Sequence, residues 1–366
     1  MRLAAETYPA PESLRDGPDL LSLAWTSDEQ SALDIDVPRF IQDLLQAEVA
    51  CGLPRISSYP LWDPHAEAAL APHVAKFFRL TKPVPAVLAG AGVGPLLAAF
   101  AAESRSGPVR VIGTTYPDFP AWVERLGGVF APHDPNAGIG VQIRRAGRDR
   151  PAIIFMERPQ LFDADDLSTD DVAAICRAVP EALVLVDESN ANYCPPEYSL
   201  VPRVAELSNL AVLRGFSKAY QLGGLRIGYC VASAEVGARV RRLVPPLQAS
   251  PLSVGIGGAL LQQGDIGARF RRTVADARSR AEELFQAAGL PPDREAMRAL
   301  PYVLYDIDNS EALRALKARG IRGKQHMCWR AGGLSSVYRL SVPLAKSRST
   351  ELAIRLSTAT DAVPCA

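Results

Sequence analysis

The chain has 366 residues, 48% of them hydrophobic, and its 40 basic side chains cancel its 40 acidic ones. That length can bury one large core or two, and the charge balance leaves no global field to draw the chain to nucleic acid or an anionic membrane surface. The expected partners are small molecules and a second copy of the chain.

The six cysteines (51, 176, 194, 230, 328 and 365) form no CxxC pair, and the four histidines (His65, His73, His133, His326) do not cluster with them. Neither a disulfide framework nor a metal site is expected. The leading MRLAAETYPAPESLRDG lacks an apolar core of the kind a secretory signal needs, so a cytoplasmic protein with reduced thiols is expected.

From about residue 84 onward, short apolar runs alternate with helical patterns. Pro83 to Ala102 carry no charge over about a membrane thickness. Repeated Pro and Gly break that stretch, so it reads as the strand Ala86–Leu88, a glycine-rich turn and a helix opening at Pro95. Gly90-Ala91-Gly92-Val93-Gly94 then lies between strand and helix, where bare backbone N–H groups and the positive helix end suit a phosphate. A dinucleotide site is the rival reading, but the spacing is GxGxG and position 114 is Thr rather than an acid.

The runs Val109–Ile112, Ala152–Phe155, Leu183–Val186, Ala211–Leu213 and Ile227–Val231 complete the pattern of a mostly parallel, doubly wound sheet with both faces covered. Leu183–Val186 delivers Asp187 at a strand's carboxyl end, where the acid either caps the next helix or meets a cation. After Pro245-Pro246 the texture changes to the helical stretch Ile266–Gly289, then the strands Tyr302–Ile307 and Val337–Val342, which reads as a smaller α+β unit. Arg339 on the last strand either lies on a wet face or meets an anion, and its planar fork suits a carboxylate.

The segment Arg214-Gly215-Phe216-Ser217-Lys218-Ala219-Tyr220-Gln221-Leu222-Gly223-Gly224-Leu225-Arg226-Ile227-Gly228-Tyr229 sets a lysine between a hydroxyl and a second cation, among glycines and apolar residues. A lysine placed there is expected to have a depressed pKa, which favours the neutral amine that condenses with a carbonyl. The plain alternative puts Ser217-Lys218 before an exposed helix with Arg226 on its solvated face.

With Asp187 and Arg339 in their order along the chain, this segment resembles the lysine motif of the fold-type-I pyridoxal-phosphate enzymes, and within them the histidinol-phosphate aminotransferase branch. The resemblance implies an α/β fold with a three-layer large domain built on a mostly parallel seven-stranded sheet, aspartate-aminotransferase-like, plus a smaller α+β domain. It implies an N-terminal segment over residues 1–45 packing on the small domain, a large cofactor-binding domain over 46–248 and a small domain over 249–366, with Phe40–Ala50 as the helix leading into the large domain.

Carried over residue by residue, Lys218 would form the Schiff base with pyridoxal phosphate, while Ser217 and Arg226 would hold its phosphate along with Gly90, Ala91 and Gly92. Asp187 would pair with the pyridine nitrogen, which keeps the ring an electron sink. Tyr116, in Gly113-Thr114-Thr115-Tyr116-Pro117, would stack on the ring. Tyr59 in Ser58-Tyr59-Pro60 would reach the partner's phosphate across a homodimer with shared active sites. Arg339 would grip the substrate carboxylate.

The chain departs from the family pattern where Asn-Pro-x-Gly is usual: it reads Met156-Glu157-Arg158-Pro159-Gln160-Leu161, so Arg158 replaces the Asn. Asn190, followed by Asn192 and Tyr193, stands where a Tyr to the same phenolic oxygen is usual, and Gly215 where a Thr or Ser is frequent. Arg158 and Asn190 are therefore expected beside the cofactor, with Arg158 also a candidate for substrate. Arg322, Arg330, His326, Trp25 and Asp28 are further candidates for side-chain recognition. The expected activity is an aminotransferase, or a diverged relative catalysing β- or γ-elimination, replacement or cyclisation on an amino acid. A non-catalytic module that kept the fold is a third reading, against which stands the retention of Lys218, Asp187 and Arg226.

Overall fold

The computed structural model describes residues 17–357 apart from positions 18, 27, 133, 135, 136, 138, 165 and 331. His133 and Cys365 lie outside the described residues.

Eleven strands are described: β1 (Leu21–Ser22), β2 (Ala86–Gly90), β3 (Val109–Ile112), β4 (Ile153–Glu157), β5 (Leu183–Asp187), β6 (Leu210–Gly215), β7 (Gly228–Ala232), β8 (Tyr302–Asp306), β9 (Ile321–Arg322), β10 (Lys324–Arg330) and β11 (Gly333–Ser341). The six strands β2-β7-β6-β5-β4-β3 form the large sheet, in which only β7 runs against its neighbours. A single parallel bridge between Val109 and Phe130 stands where a seventh strand would lie.

The period-2 geometry of a strand sends alternate side chains to opposite faces, and here both faces are apolar. Ile154, Met156, Val184, Val186 and Val212 enter one core. Ile153, Phe155, Leu183, Leu185 and Leu213 enter a second on the other face, against Phe100, Phe119 and Val123 of the flanking helices. Each fully buried Leu, Val or Phe side chain contributes on the order of 1.5–3 kcal/mol, which is why these runs read as strands without alternation. The uncharged stretch from Pro83 resolves into β2, a glycine loop and the helix Val93–Ala101. Among the described residues no helix is long and apolar enough to cross a membrane.

The antiparallel sheet β10-β11-β8 lies apart from the large one, backed by the helix Ala268–Ala287. That helix buries Phe270, Val274, Ala277, Ala281 and Phe285 at the spacing of one helical face. The N-terminal segment joins this end of the molecule, since β1 pairs in parallel with β9, Leu21 opposite Ile321. From there the chain runs to the helix Val37–Ala50, whose first turn is capped by the Asp36 carboxylate accepting from Arg39 N at 3.0 Å. The two sheets are tied where Thr115 and Trp329 exchange backbone hydrogen bonds of 3.0 and 2.7 Å. That bridge fixes the small sheet against the loop that carries Tyr116.

Candidate active site

Ligands of an open α/β sheet bind outside the carboxyl ends of its parallel strands, and the predicted residues gather there. The loop after β2 holds Gly90 to Gly94, the loop after β3 holds Tyr116, β5 ends in Asp187, and Lys218 follows β6 on the neighbouring strand. Ser217 and Arg226 flank the lysine on the exposed side of its loop.

That loop is locally strained. Ala219, Gln221 and Arg226 adopt φ of +62°, +56° and +52°, left-handed conformations that cost a non-glycine residue about 1–2 kcal/mol each. Strain of this kind persists only where surrounding contacts over-determine it, and it clusters at functional sites. Here a buried network supplies the contacts. Asn192 Nδ2 donates to Gly215 O at 2.7 Å and to Lys218 O at 3.5 Å, and Asn192 Oδ1 accepts from Arg214 at 2.7 Å. Arg214 in turn meets Glu188 at 3.2 Å. The outer turn is stitched to the N-terminal segment by Gln30 Nε2 on Tyr220 O (3.1 Å) and Gln221 Nε2 on Thr26 O (3.3 Å).

The glycine loop and the lysine loop touch backbone to backbone. A Cβ on Gly228 would stand 2.7 Å from Gly92 C, and one on Gly92, whose φ is +89°, would stand 2.6 Å from an Arg226 guanidinium nitrogen. Arg226 reaches across to Ala91 O at 2.9 Å and back to Gly223 O at 3.0 Å, which leaves a cation at the mouth of the glycine cradle. Gly215 is packed too: a Cβ there would come within 3.3 Å of Val93 Cγ2.

Asp187 accepts from Ser189 N at 2.8 Å and from the Ser189 hydroxyl. Burial nevertheless pushes its carboxyl up to about 6, partly offset by those two hydrogen bonds. Its register partner on β4 is Glu157, 4% exposed, which accepts from Tyr116 N at 2.8 Å. Burial first, and then Asp187, raises Glu157 well above the ordinary carboxylate range. The Tyr116 ring stacks on Phe162 (6.5 Å between centroids) and lies 6.2 Å from His326.

Lys218 has its pKa lowered to about 8 by burial and by Arg339, while Glu29 acts in the opposite direction. A second lysine, Lys324 on β10, is lowered to about 7 by burial, Arg339 and Lys218. Both amines face Trp25, Lys218 Nζ at 5.8 Å and Lys324 Nζ at 4.1 Å from its ring centroid. Arg339, register partner of Lys324, lies over the Tyr302 ring at 5.0 Å and donates to Ala24 O at 3.1 Å. His326, two residues along β10, is held neutral by burial and by these cations. The β10–β11 side of the site is therefore cationic, with the Glu29 carboxyl as an acidic neighbour of Lys218 and Arg339.

Arg158 departs from the expected placement. Its guanidinium turns into the fold, donating to Leu167 O (2.6 Å), Tyr198 O (2.5 Å) and Thr169 Oγ1 (3.2 Å), meeting Glu188 at 3.5 Å and stacking on Tyr198 at 4.0 Å. The physical reason is Glu188, fully buried, whose charge calls for cations on both sides. Asn190, three residues after Asp187, is half-buried, and its side chain makes no hydrogen bond among the described residues. Tyr59 stays 79% exposed, within a patch with Ile56, Leu61 and Trp62. Asp28 is used structurally, accepting from Leu344 N and Ala345 N at 2.9 and 2.7 Å, and Arg322 and Arg330 are exposed. Glu29, Glu157 and Lys324 escaped the sequence reading: none of them is itself a motif position, and burial singles them out.

An open α/β sheet with a depressed lysine and a strand-end carboxylate on adjacent strands defines the fold-type-I, aspartate-aminotransferase-like class. Residues 45–305 match the model of the family described as aminotransferase class I and II, and the chain belongs to that family. It is 33% identical over 190 residues to an aromatic amino acid aminotransferase of Mycolicibacterium smegmatis, covering 48% of this chain and 52% of the relative. It is 32% identical over 180 residues to a histidinol-phosphate aminotransferase of Chromobacterium violaceum, 49% of each. The chain thus spans about half the length of the curated relatives it matches. Among solved structures, it superposes with a TM-score of 0.68 on histidinol-phosphate aminotransferase from Sinorhizobium meliloti in complex with pyridoxal-5'-phosphate, at 21% identity over 96% of this chain and 95% of that one. The same score relates it to L-threonine-O-3-phosphate decarboxylase from Porphyromonas gingivalis, at 16% identity over 92% and 97%. At such identities the likeness is one of fold.

Proposed function

We propose that the chain is a pyridoxal-phosphate-dependent aminotransferase acting on an amino acid. The observation that carries this reading is the Lys218 amine, held near pKa 8 at the carboxyl edge of the sheet in the loop after the strand that pairs with that of Asp187. At pH 8 about half of such an amine is neutral and nucleophilic.

The residues present fit the cofactor. Its phosphate is matched by the Gly90-Ala91-Gly92 backbone with Arg226 and Ser217 at a helix N-terminus, and its ring nitrogen by Asp187. When bound, the group supplies an electron sink for charge developing at the substrate carbon. With it bound, Lys218 would serve as the base and acid that moves the proton at the substrate carbon, Asp187 would pair with the ring nitrogen, Tyr116 would stack on the ring, and Arg339 would orient the substrate carboxylate. Tyr59 and its exposed apolar neighbours support a homodimer in which that tyrosine reaches the partner's cofactor phosphate. In this reading residues 1–45, 46–248 and 249–366 are the segment and two domains, and the enzyme is cytoplasmic.

One observation favours a second reading, a diverged elimination, replacement or cyclisation: Arg158 is committed to Glu188, so the usual pair of phenolate partners is not reproduced. The deciding experiment adds pyridoxal phosphate and then amino acids to the protein. An absorbance band at the visible edge, consumed by an amino donor and restored by a keto acid, is the expected result. Ammonia or carbon dioxide released without an acceptor selects the second reading, and absence of any band rules out both.

Gly92→Ala is expected to weaken cofactor affinity by roughly tenfold or more, since it adds a Cβ at positive φ against Arg226. Titrating the same band measures it, and an unchanged affinity would remove Gly92 from the cradle.

A further inference from the structure

Glu29 is 3% exposed, yet it lies on the N-terminal segment, far in sequence from every element of the large sheet. Its Oε1 accepts a 2.5 Å hydrogen bond from the Tyr193 hydroxyl, and Tyr193 is itself packed on Phe270 at 5.8 Å. Glu29 Oε2 accepts no hydrogen bond among the described residues. Gln30 and Thr26, on either side, are the residues bonded to the lysine loop. The segment therefore carries one buried carboxyl to the lysine loop and is anchored there from both flanks.

We propose that Glu29, oriented by Tyr193, is a positioning residue for Lys218: its charge is the counterweight that sets when the lysine amine is neutral. The proposal rests on Lys218 being the cofactor lysine. The groups that face the pair are Tyr193 from the turn after β5, Arg339 from β11, Lys324 and His326 from β10, and Asp28 beside Glu29. Burial and Arg339 disfavour the ammonium, and Glu29 favours it. Burial raises Glu29 to about 7, and the Tyr193 hydrogen bond and the charges of Lys218 and Arg339 pull it down. Glu29 thus acquires its charge in the pH range just below that in which Lys218 loses its own, and the two titrations are coupled. Without Glu29 the cationic wall acts on Lys218 uncompensated, and the amine becomes neutral at lower pH.

The test follows capture of pyridoxal phosphate by the cofactor-free protein as a function of pH. In that step the neutral Lys218 nitrogen condenses with the aldehyde carbon, a carbon–nitrogen double bond forms and one water leaves, so the rate tracks the neutral fraction of the amine. For the wild type a midpoint near 8 is expected. Glu29→Gln keeps the shape and the acceptor for Tyr193, and should move the midpoint down by roughly half a unit or more, which speeds capture at pH 7 about threefold. Tyr193→Phe raises the Glu29 carboxyl further by deleting its donor, and should shift the Lys218 midpoint in the same direction by less. Arg339→Gln should shift it upward.

A band that forms with an unmoved midpoint in both Glu29→Gln and Tyr193→Phe overturns the proposal. Should Glu29→Gln fail to fold, the Tyr193→Phe midpoint decides alone. A wild type that forms no band overturns the cofactor reading instead, which keeps the two failures distinct.

Discussion

Lys218→Ala is expected to abolish the visible-edge absorbance band and to lower kcat by roughly 10⁴-fold or more, since a nucleophile and the group that moves the proton are lost together. The site makes this sharper than usual, because two lysines beside Trp25 have depressed pKa values, Lys218 near 8 and Lys324 near 7. Acidity alone would favour Lys324. Position favours Lys218, which follows the strand beside Asp187 and rises from a loop with three strained residues, whereas Lys324 belongs to a regular strand of the small sheet. Borohydride trapping of the protein–cofactor adduct followed by peptide mass analysis separates them. Label on the Lys218 peptide, absent from Lys218→Ala and retained in Lys324→Ala, is the expected pattern. Label persisting on Lys324 in Lys218→Ala would transfer the role to the other lysine.

Glu188→Ala is expected to destabilise the protein by about 3–5 kcal/mol, read as a lowered midpoint in urea. Glu188 accepts from Leu200 N at 2.8 Å and from the Ser199 hydroxyl, and stands between Arg158 and Arg214. Removing it leaves two guanidinium groups buried without their carboxylate, which costs more than any net attraction the pairs supply. Against a typical total of about 5–15 kcal/mol, that loss is large. Adding Arg158→Met removes one of the stranded charges and should recover part of the midpoint, whereas additive losses would show that Arg158 and Glu188 are not coupled. The same deletion loosens Arg214 and through it Asn192, whose amide holds the backbone of the lysine loop. Cofactor affinity should fall with stability in Glu188→Ala.

The strands of the large sheet were legible because a strand buried on both faces is an unbroken apolar run: Val109–Ile112 is matched residue for residue, and Leu183–Val186 extends only by Asp187. β10 was not legible. Its sequence, Lys324-Gln325-His326-Met327-Cys328-Trp329-Arg330, has polar residues at positions that turn out buried, so no apolar pattern marks the strand. The site shows the same division. Lys218, Asp187 and Arg226 stand in local motifs, whereas Glu29 meets Tyr193 across a sequence separation of 164 residues. Arg158 was expected at the cofactor because its neighbours in sequence belong there. Its orientation is decided by Glu188, a residue whose burial follows from packing and not from its place in the motif.

Trp25, Thr26, Asp28, Glu29 and Gln30 all come from one short stretch of chain between β1 and the helix Val37–Ala50. Asp28 pins that stretch to the turn after β11, Gln30 pins it to the lysine loop, and no strand of the large sheet takes part. Exchanging residues of that stretch would rewrite the charge and the aromatic wall facing both lysines while leaving every strand of the large sheet in place.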